Sequence, residues 1–593
     1  MNAPRGPARP STRRVANSGA AIAALAAAGA TLLLFFASRG KWSDALIDSG
    51  REWIVPDALS RGDLLYRDVV YWFGPFTPYL HALFFRAFGS SFRTLAIAGA
   101  CGGAAALACL RFALGRVTGR REAWAWTVAA IPLLVFMPNA GGAILGMGYR
   151  MWHAAGFSLI AVARASPPWS DRAVPRRALL AAGAFAGLAG LCRTEWGLAA
   201  AIAAAVAVLV AGRGVRAGSR AAAAALVAAG FLAVEAGGIG LFVALAGPAA
   251  VLRDAPVLLL HLPPETSRRL GDPGAVPWIP GLVQMAYGAL TLVSVFLAVE
   301  LLVSARREPD RVRARLARLF AILIALAVCV AVGGSPAGGM FSGAPLFCGA
   351  AVALGLARPG PTGAALAGFG TMGLLASHRR FFFLTDGPYV APALLFALVC
   401  VAGCAAAAVA SRPPDVRERL SKGLRIVVGL AAAAAFAGRI AGYRSDDRVE
   451  VPGTQGMLSA SPAVAARITE IAGRIRNGTP SGAGLVVFPE GEVLNYLARR
   501  GNPIRHKLYL PGYVTAANEP AIVDELARAN PAAIVLWPRP MGEYGTGFFG
   551  NGYGGTVQAW IDGRYEAVPG GAPGGNAPRV LRIRASRPPE SGK

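Results

Sequence analysis

Asp48-Ser49-Gly50-Arg51-Glu52-Trp53, Arg61-Gly62-Asp63-Leu64-Leu65-Tyr66-Arg67-Asp68 and Phe73-Gly74-Pro75-Phe76-Thr77-Pro78-Tyr79 lie in one polar stretch of the chain, residues 39–89. An apolar run precedes this stretch and a long series of apolar runs follows it. Six acids (Asp44, Asp48, Glu52, Asp57, Asp63, Asp68) alternate with basic and aromatic residues. Most of the remaining sequence before residue 441 is Ala, Leu, Val and Gly. The reading therefore starts from a long acidic loop held beside a membrane.

Composition agrees with that reading. The chain has 593 residues, of which 55% are hydrophobic and only 15% charged. A soluble domain carries about 25% charged residues. The apolar residues come in runs near the ~20 residues that cross a bilayer. Thirteen candidate spans follow: 15–37, 93–113, 122–138, 150–165, 177–192, 196–212, 221–246, 280–303, 316–333, 342–357, 361–376, 389–409 and 423–441.

The formal charge of +27 comes largely from arginines clustered between the apolar runs. Arg116, Arg120 and Arg121, then Arg172, Arg176 and Arg177, then Arg213, Arg216 and Arg220 fall on one predicted side. The clusters at 306–318 and 412–425 join them. Positive charge concentrates in cytoplasmic loops, which places the basic N-terminus (1–14) inside and the C-terminus outside. No basic stripe with interleaved aromatics accompanies the charge, so nucleic acid is not expected as a partner. The seven cysteines sit in or at the ends of apolar segments and read as small buried hydrophobes.

Beyond residue 441 the composition becomes that of a globular domain, 442–569. Gly484–Phe488 reads as a buried strand and Pro489-Glu490-Gly491 as the opening of a helix through Arg500. A helix at Glu519–Ala529 and a strand at Ala532–Trp537 follow. Strand and helix alternate, which predicts a small α/β domain. The Gly/Pro/Arg/Ser-rich tail, 570–593, reads as disordered.

Asp48 and Glu52, four residues apart, share a face if the segment is helical. A carboxylate partly desolvated beside a bilayer has its pKa raised toward the range useful for proton abstraction. Outer-side arginines suit phosphate, because guanidinium groups bind its oxygens bidentately and stay charged near lipid. Candidates are Arg193, Arg379 and Arg380, with Arg268 and Arg269 behind them. Arg193 and Glu195 also bracket a tight re-entry between spans and can pair with each other. His153, His261 and His378 have no metal-ligand spacing. No Gly-rich nucleotide cradle is present.

The blocks Asp48-Ser49-Gly50, Arg61-Gly62, Tyr66-Arg67-Asp68, Gly74-Pro75, Tyr79-Leu80 and Phe88-Gly89 resemble the first periplasmic loop of GT-C glycosyltransferases. The likeness is to bacterial relatives of the protein mannosyltransferase and aminoarabinose transferase group. It implies a polytopic α-helical membrane protein with a periplasmic α/β domain in a bacterial inner membrane. It also implies transfer of a sugar from a polyprenyl-phosphate donor to a glycan, lipid or protein acceptor, with inversion. Family logic makes Asp48 the general base, with Glu52 or Asp68 as a second carboxylate. Arg193, Arg379 and Arg380 would face the donor phosphate, and Tyr66, Arg67 and His261 the acceptor or sugar. One departure stands out: the family's adjacent acidic pair is Asp48-Ser49 here. No cofactor is expected, and no metal-ligand motif is visible. The alternatives are a transporter or flippase of lipid-linked sugars, and a non-catalytic partner in envelope-polysaccharide assembly.

Overall fold

The computed structural model describes residues 12–138, 142–146, 148–166, 176–212, 217–254, 344–358, 360–376, 391–568 and 577–584, with a few positions between 293 and 300. In the apolar half, α1 (Thr12–Ser38) leads into the polar stretch, which forms two short helices of its own, α2 (Asp48–Ser60) and α3 (Phe76–Phe88). Then come α4 (Phe92–Val117), α5 (Arg120–Ala130, continued by one π-turn), α6 (Tyr149–Ala165), α7 (Arg176–Cys192), α8 (Thr194–Ala211), α9 (Ala217–Ala246) and α10 (Pro248–Arg253). The set closes with α11 (Ala344–Ala357), α12 (Pro361–Ala376), α13 (Ala391–Ala410) and α14 (Pro414–Ser445).

Among the described residues, five helices are long and apolar enough to cross a membrane: α4, α8, α9, α13 and α14. The apolar runs read from sequence coincide with helices within a few residues. The exception is 423–441, which is the apolar part of the 32-residue α14, whose charged first turns begin at Pro414. The runs at 280–303 (all but a few positions) and 316–333 lie outside the described residues. The helices form a packed bundle in which α7 contacts α6, α8 and α9, and α12 bridges α8 and α11. The six described cysteines are free.

The last part of the chain is an α/β unit. After the short pair β1 (Val449–Glu450) and β2 (Ser459–Ala460) come α15 (Pro462–Gly478), β3 (Leu485–Phe488) and α16 (Val493–Ala498). They are followed by α17 (Glu519–Ala529), β4 (Ala533–Leu536), β5 (Phe548–Phe549), β6 (Gly552–Tyr553), α18 (Gly555–Arg564), β7 (Tyr565–Ala567) and β8 (Arg579–Ile583). One sheet runs β3-β4-β8-β7, with β3 and β4 parallel and the other neighbours antiparallel. Every residue of β3 and β4 is buried, as expected for strands covered on both faces.

Two expectations need correction. The tail is not disordered throughout, because Arg579–Ile583 is a strand in the interior of the sheet, paired to both β4 and β7. Its Val580 and Leu581 supply the apolar faces that a Gly/Pro-rich context hides. The helix read over 489–500 is confined to Val493–Ala498, and Pro489-Glu490-Gly491 is not helical.

Strand alternation positions the site. Leu485, Val487, Ala533, Val535 and Val580 point to one face and join a cluster with Trp42, Leu46, Trp53, Val493 and Leu494. Val486, Phe488, Ile534 and Leu581 point to the other, against Ile522, Leu526, Val557 and Ile561. The α/β unit therefore shares its core with the polar stretch. Helix α2 is held between that unit and the helical bundle.

Candidate functional site

The turn before α2 fixes where the helix begins. Asp44 Oδ1 accepts from the N–H groups of Leu46 and Ile47 at 2.8 and 2.7 Å, and its carbonyl accepts from Ser49 Oγ at 2.8 Å. Asp48 is thus the first residue of α2. Gly50 is required by close approach: a Cβ there would lie 2.4 Å from the backbone nitrogen of Val493. Gly74 is required likewise, since a Cβ would lie 2.0 Å from the Leu191 carbonyl at the end of α7. The loop is therefore clamped at the sheet unit by one glycine and at the bundle by the other.

Asp48 is half-buried, and among the described residues its carboxylate accepts no hydrogen bond. Burial raises its pKa to about 6; Arg51 opposes the rise, and Asp44, Glu490 and Glu52 add to it. Such a group is mostly ionised at pH 7 yet basic enough to take a proton.

One turn further on, Glu52 is buried and accepts from Arg150 Nη1 at 2.9 Å. Burial pushes its carboxyl upward and Arg150 pulls it back. The Arg150 guanidinium lies 3.9 Å from the centre of the Phe73 ring, and that of Arg193 lies 5.9 Å from the same ring. Arg193 sits in the one-residue break between α7 and α8. It pairs with Glu195 at 3.3 Å and donates to Met151 Sδ at 3.1 Å. Two buried guanidinium groups thus flank one aromatic ring beside the acid-bearing face of α2.

From the other side, Glu490 bridges Arg51 (2.7 Å) and Arg539 (2.6 Å). Glu492 is buried, and burial, reinforced by Glu490, pushes its pKa up to about 8. A second seam is aromatic and basic. Trp72 and Tyr513 stack at 3.4 Å with planes 7° apart. Arg505 donates to the carbonyls of Tyr66 and Arg67 at 2.8 and 2.9 Å and pairs with Asp254.

The residues proposed from sequence separate into four groups. Glu52 and Arg193 are linked through Arg150 and the Phe73 ring, and Asp48 joins them through the charges of Arg51 and Glu52. Asp68 and Arg67 pair with each other at 2.7 Å on a more exposed part of the loop. That pairing holds the Asp68 carboxyl below its usual range, and Asp68 is not among the charges that move Asp48. Tyr66 is fully buried with φ at +67°, and its hydroxyl donates to the Phe73 carbonyl at 2.9 Å. Its ring packs edge-on against Phe242. Tyr66 therefore holds the loop's shape. His261, Arg379 and Arg380 lie outside the described residues, as do Arg268, Arg269 and His378.

Sequence reasoning missed Arg150, Glu490, Glu492 and Arg539. A charge opening the apolar α6 was the available signal for Arg150. The other three carry no local signal: Glu490 and Glu492 meet α2 across more than four hundred residues, and Arg539 joins them by pairing with Glu490. His153 bonds Thr77 Oγ1 at 3.0 Å, and its ring lies 5.8 Å from that of His81. Among the described residues no three His, Cys, Asp or Glu side chains group as metal ligands.

The chain shares its arrangement of helical bundle, inserted acidic loop and appended sheet unit with a solved structure. It is similar over nearly its whole length to ArnT from Cupriavidus metallidurans, solved bound to undecaprenyl phosphate. That match has a TM-score of 0.50 at 15% identity and covers 95% of this chain and 98% of the other. Looser overlap is found with the oligosaccharyltransferase AglB from Archaeoglobus fulgidus (TM-score 0.48, 14% identity, 87% of this chain and 69% of the other). The arabinofuranosyltransferase AftD from Mycobacteria overlaps more loosely still (TM-score 0.41, 14% identity, 95% of this chain and 40% of the other). No protein-family model matches the sequence, and no curated protein matches it.

Proposed function

We propose that the chain is an inverting glycosyltransferase that moves a sugar from a polyprenyl-phosphate donor to an acceptor at the periplasmic face of a bacterial inner membrane. The observation that carries this reading is the Asp48 carboxylate: partly desolvated, with a pKa near 6, accepting no hydrogen bond from the described residues, on a loop clamped between bundle and sheet unit. The fold shared with a protein solved bound to undecaprenyl phosphate supports the donor class.

In this reading Asp48 removes the proton from the acceptor's hydroxyl or amine as that atom attacks the anomeric carbon. The bond from that carbon to the phosphate oxygen breaks, and the departing polyprenyl phosphate gains negative charge. Preorganised cations stabilise that charge most effectively where water is excluded. Arg193 is the described candidate for this role, together with Arg379 and Arg380. Glu52 is committed to Arg150 and acts by orientation. A single displacement inverts the sugar carbon.

The test is reconstitution of the purified protein with an extract of polyprenyl-phosphate sugars, with free polyprenyl phosphate read by mass spectrometry. Release of polyprenyl phosphate that depends on an added acceptor fraction supports transfer. Movement of intact lipid-linked sugar across the bilayer without cleavage supports the flippase reading instead.

A further inference from the structure

On the side of α2 away from Asp48, a cavity of about 580 Å³ opens between α2, the start of α4 and the helices α15 and α16. Trp53, Asp57 and Arg61, at helical spacing on α2, form one wall. Asp57 lies ~14 Å along the axis from Asp48 and half a revolution round it, so the cavity is separate from the Asp48 face.

Its chemistry is cationic over an aromatic floor. Among the described residues four arginines line it (Arg61, Arg476, Arg499 and Arg500) against a single carboxylate, Asp57. That carboxylate is already matched by Arg61 and by the Ser90 hydroxyl at 2.6 Å. Arg500 is buried and spends its guanidinium on carbonyls and the Thr479 hydroxyl. Arg476 and Arg499 are exposed, and Arg499 stands at a left-handed φ of +54° directly after α16. Beneath them Trp53 and Tyr496 meet edge-to-face at 5.3 Å. A ligand here has to bring negative charge and tolerate an apolar base.

The cavity's position selects the source of that charge. Its lining residues Ser90 and Ser91 immediately precede α4, one of the helices able to span a bilayer. Next to them on α3, Phe88 is 69% and Leu83 62% exposed, apolar surface suited to lipid. Trp and Tyr favour this headgroup level. We propose that the cavity binds the net-anionic phosphodiester headgroup of a membrane phospholipid, with Arg476 and Arg499 on the phosphate and Trp53 and Tyr496 beneath the glycerol end. This proposal does not depend on what Asp48 does.

The test compares the full-length protein with an Arg476→Gln, Arg499→Asn double variant; Asn keeps the left-handed backbone accessible at 499. Both are placed in nanodiscs of phosphatidylcholine doped with phosphatidylglycerol, then released into detergent, and retained lipid is counted by native mass spectrometry. The wild type is expected to retain phosphatidylglycerol preferentially, and the double variant to lose that preference by about tenfold or more, as two charge-assisted contacts imply. An unchanged thermal midpoint in phosphatidylcholine alone shows that the variant is folded. Equal retention of the two lipids by the wild type, or a preference that survives the double substitution, overturns the site. Protection of detergent-solubilised, lipid-free protein by inorganic phosphate equal to that by phosphatidylglycerol overturns the membrane origin of the ligand.

Discussion

Arg51 and Glu490 are 439 residues apart in the chain and 2.7 Å apart in space. The contact joins the first turn of the acidic loop's helix to the sheet unit, and Arg539 closes on the same carboxylate. It therefore couples the position of Asp48 to the presence of the C-terminal unit. Removing the acid deletes the carboxylate that both guanidinium groups share, and breaking a buried ion pair destabilises by up to about 3–5 kcal/mol. Glu490→Gln is expected to lower the thermal midpoint and to speed proteolytic release of the C-terminal unit. An Arg51→Met, Glu490→Met, Arg539→Met triple variant should recover much of that stability; failure to recover it would show that the ion pairs do not govern the seam.

The buried pair Glu52–Arg150 makes a similar prediction inside the bundle's rim. Arg150→Met leaves Glu52 buried without its partner and is expected to destabilise by about 3–5 kcal/mol, whereas Glu52→Gln with Arg150→Met is expected to cost much less. A double-mutant cycle on thermal or denaturant midpoints measures the coupling. Additive effects would mean the 2.9 Å contact contributes nothing.

Glu492 gives a pH signature. Its folded pKa of about 8 stands above the ordinary 4.5, so the folded state keeps a proton that the unfolded chain releases. Stability from this group is full below about pH 4.5 and declines as pH rises to about 8. Glu492→Gln removes the decline, so its midpoint should gain on the wild type across that window and hold a constant lead above it. Parallel curves for the two proteins would refute the assignment.

How much of this was legible in the sequence depends on the range of the interaction. Apolar runs marked the helix boundaries because burial in lipid or bundle needs continuous apolar surface, and the i, i+4 relation of Asp48 and Glu52 survived intact. Nothing local in the sequence announces that the Tyr66 hydroxyl closes on the Phe73 carbonyl, a contact that only the fold creates. The strand at Arg579–Ile583 was hidden by its Gly/Pro surroundings, since an interior strand can be set by its partners alone. Arg150 looked like any arginine at a helix end. Glu490 and Glu492 meet α2, and Arg539 meets Glu490, only through tertiary folding, which no spacing rule encodes.

Asp48 predicts the pH dependence of the reaction. With a pKa near 6, raised from 3.8 chiefly by burial, the base is ionised above that value and lost below it. The transfer rate should rise with pH and reach half its plateau near pH 6. Because the same burial disfavours the charged form in the folded state, Asp48→Asn should be at least as stable as the wild type at pH 7.

The most direct measurement is the single-turnover rate of polyprenyl phosphate release by Asp48→Asn protein in nanodiscs, beside the wild type. A positioned base contributes about 10²–10⁴-fold, so the account predicts a loss of at least about a hundredfold with an unchanged or raised thermal midpoint. A rate within a few-fold of the wild type would contradict it, because the carboxylate at 48 would then not be the group that takes the acceptor's proton.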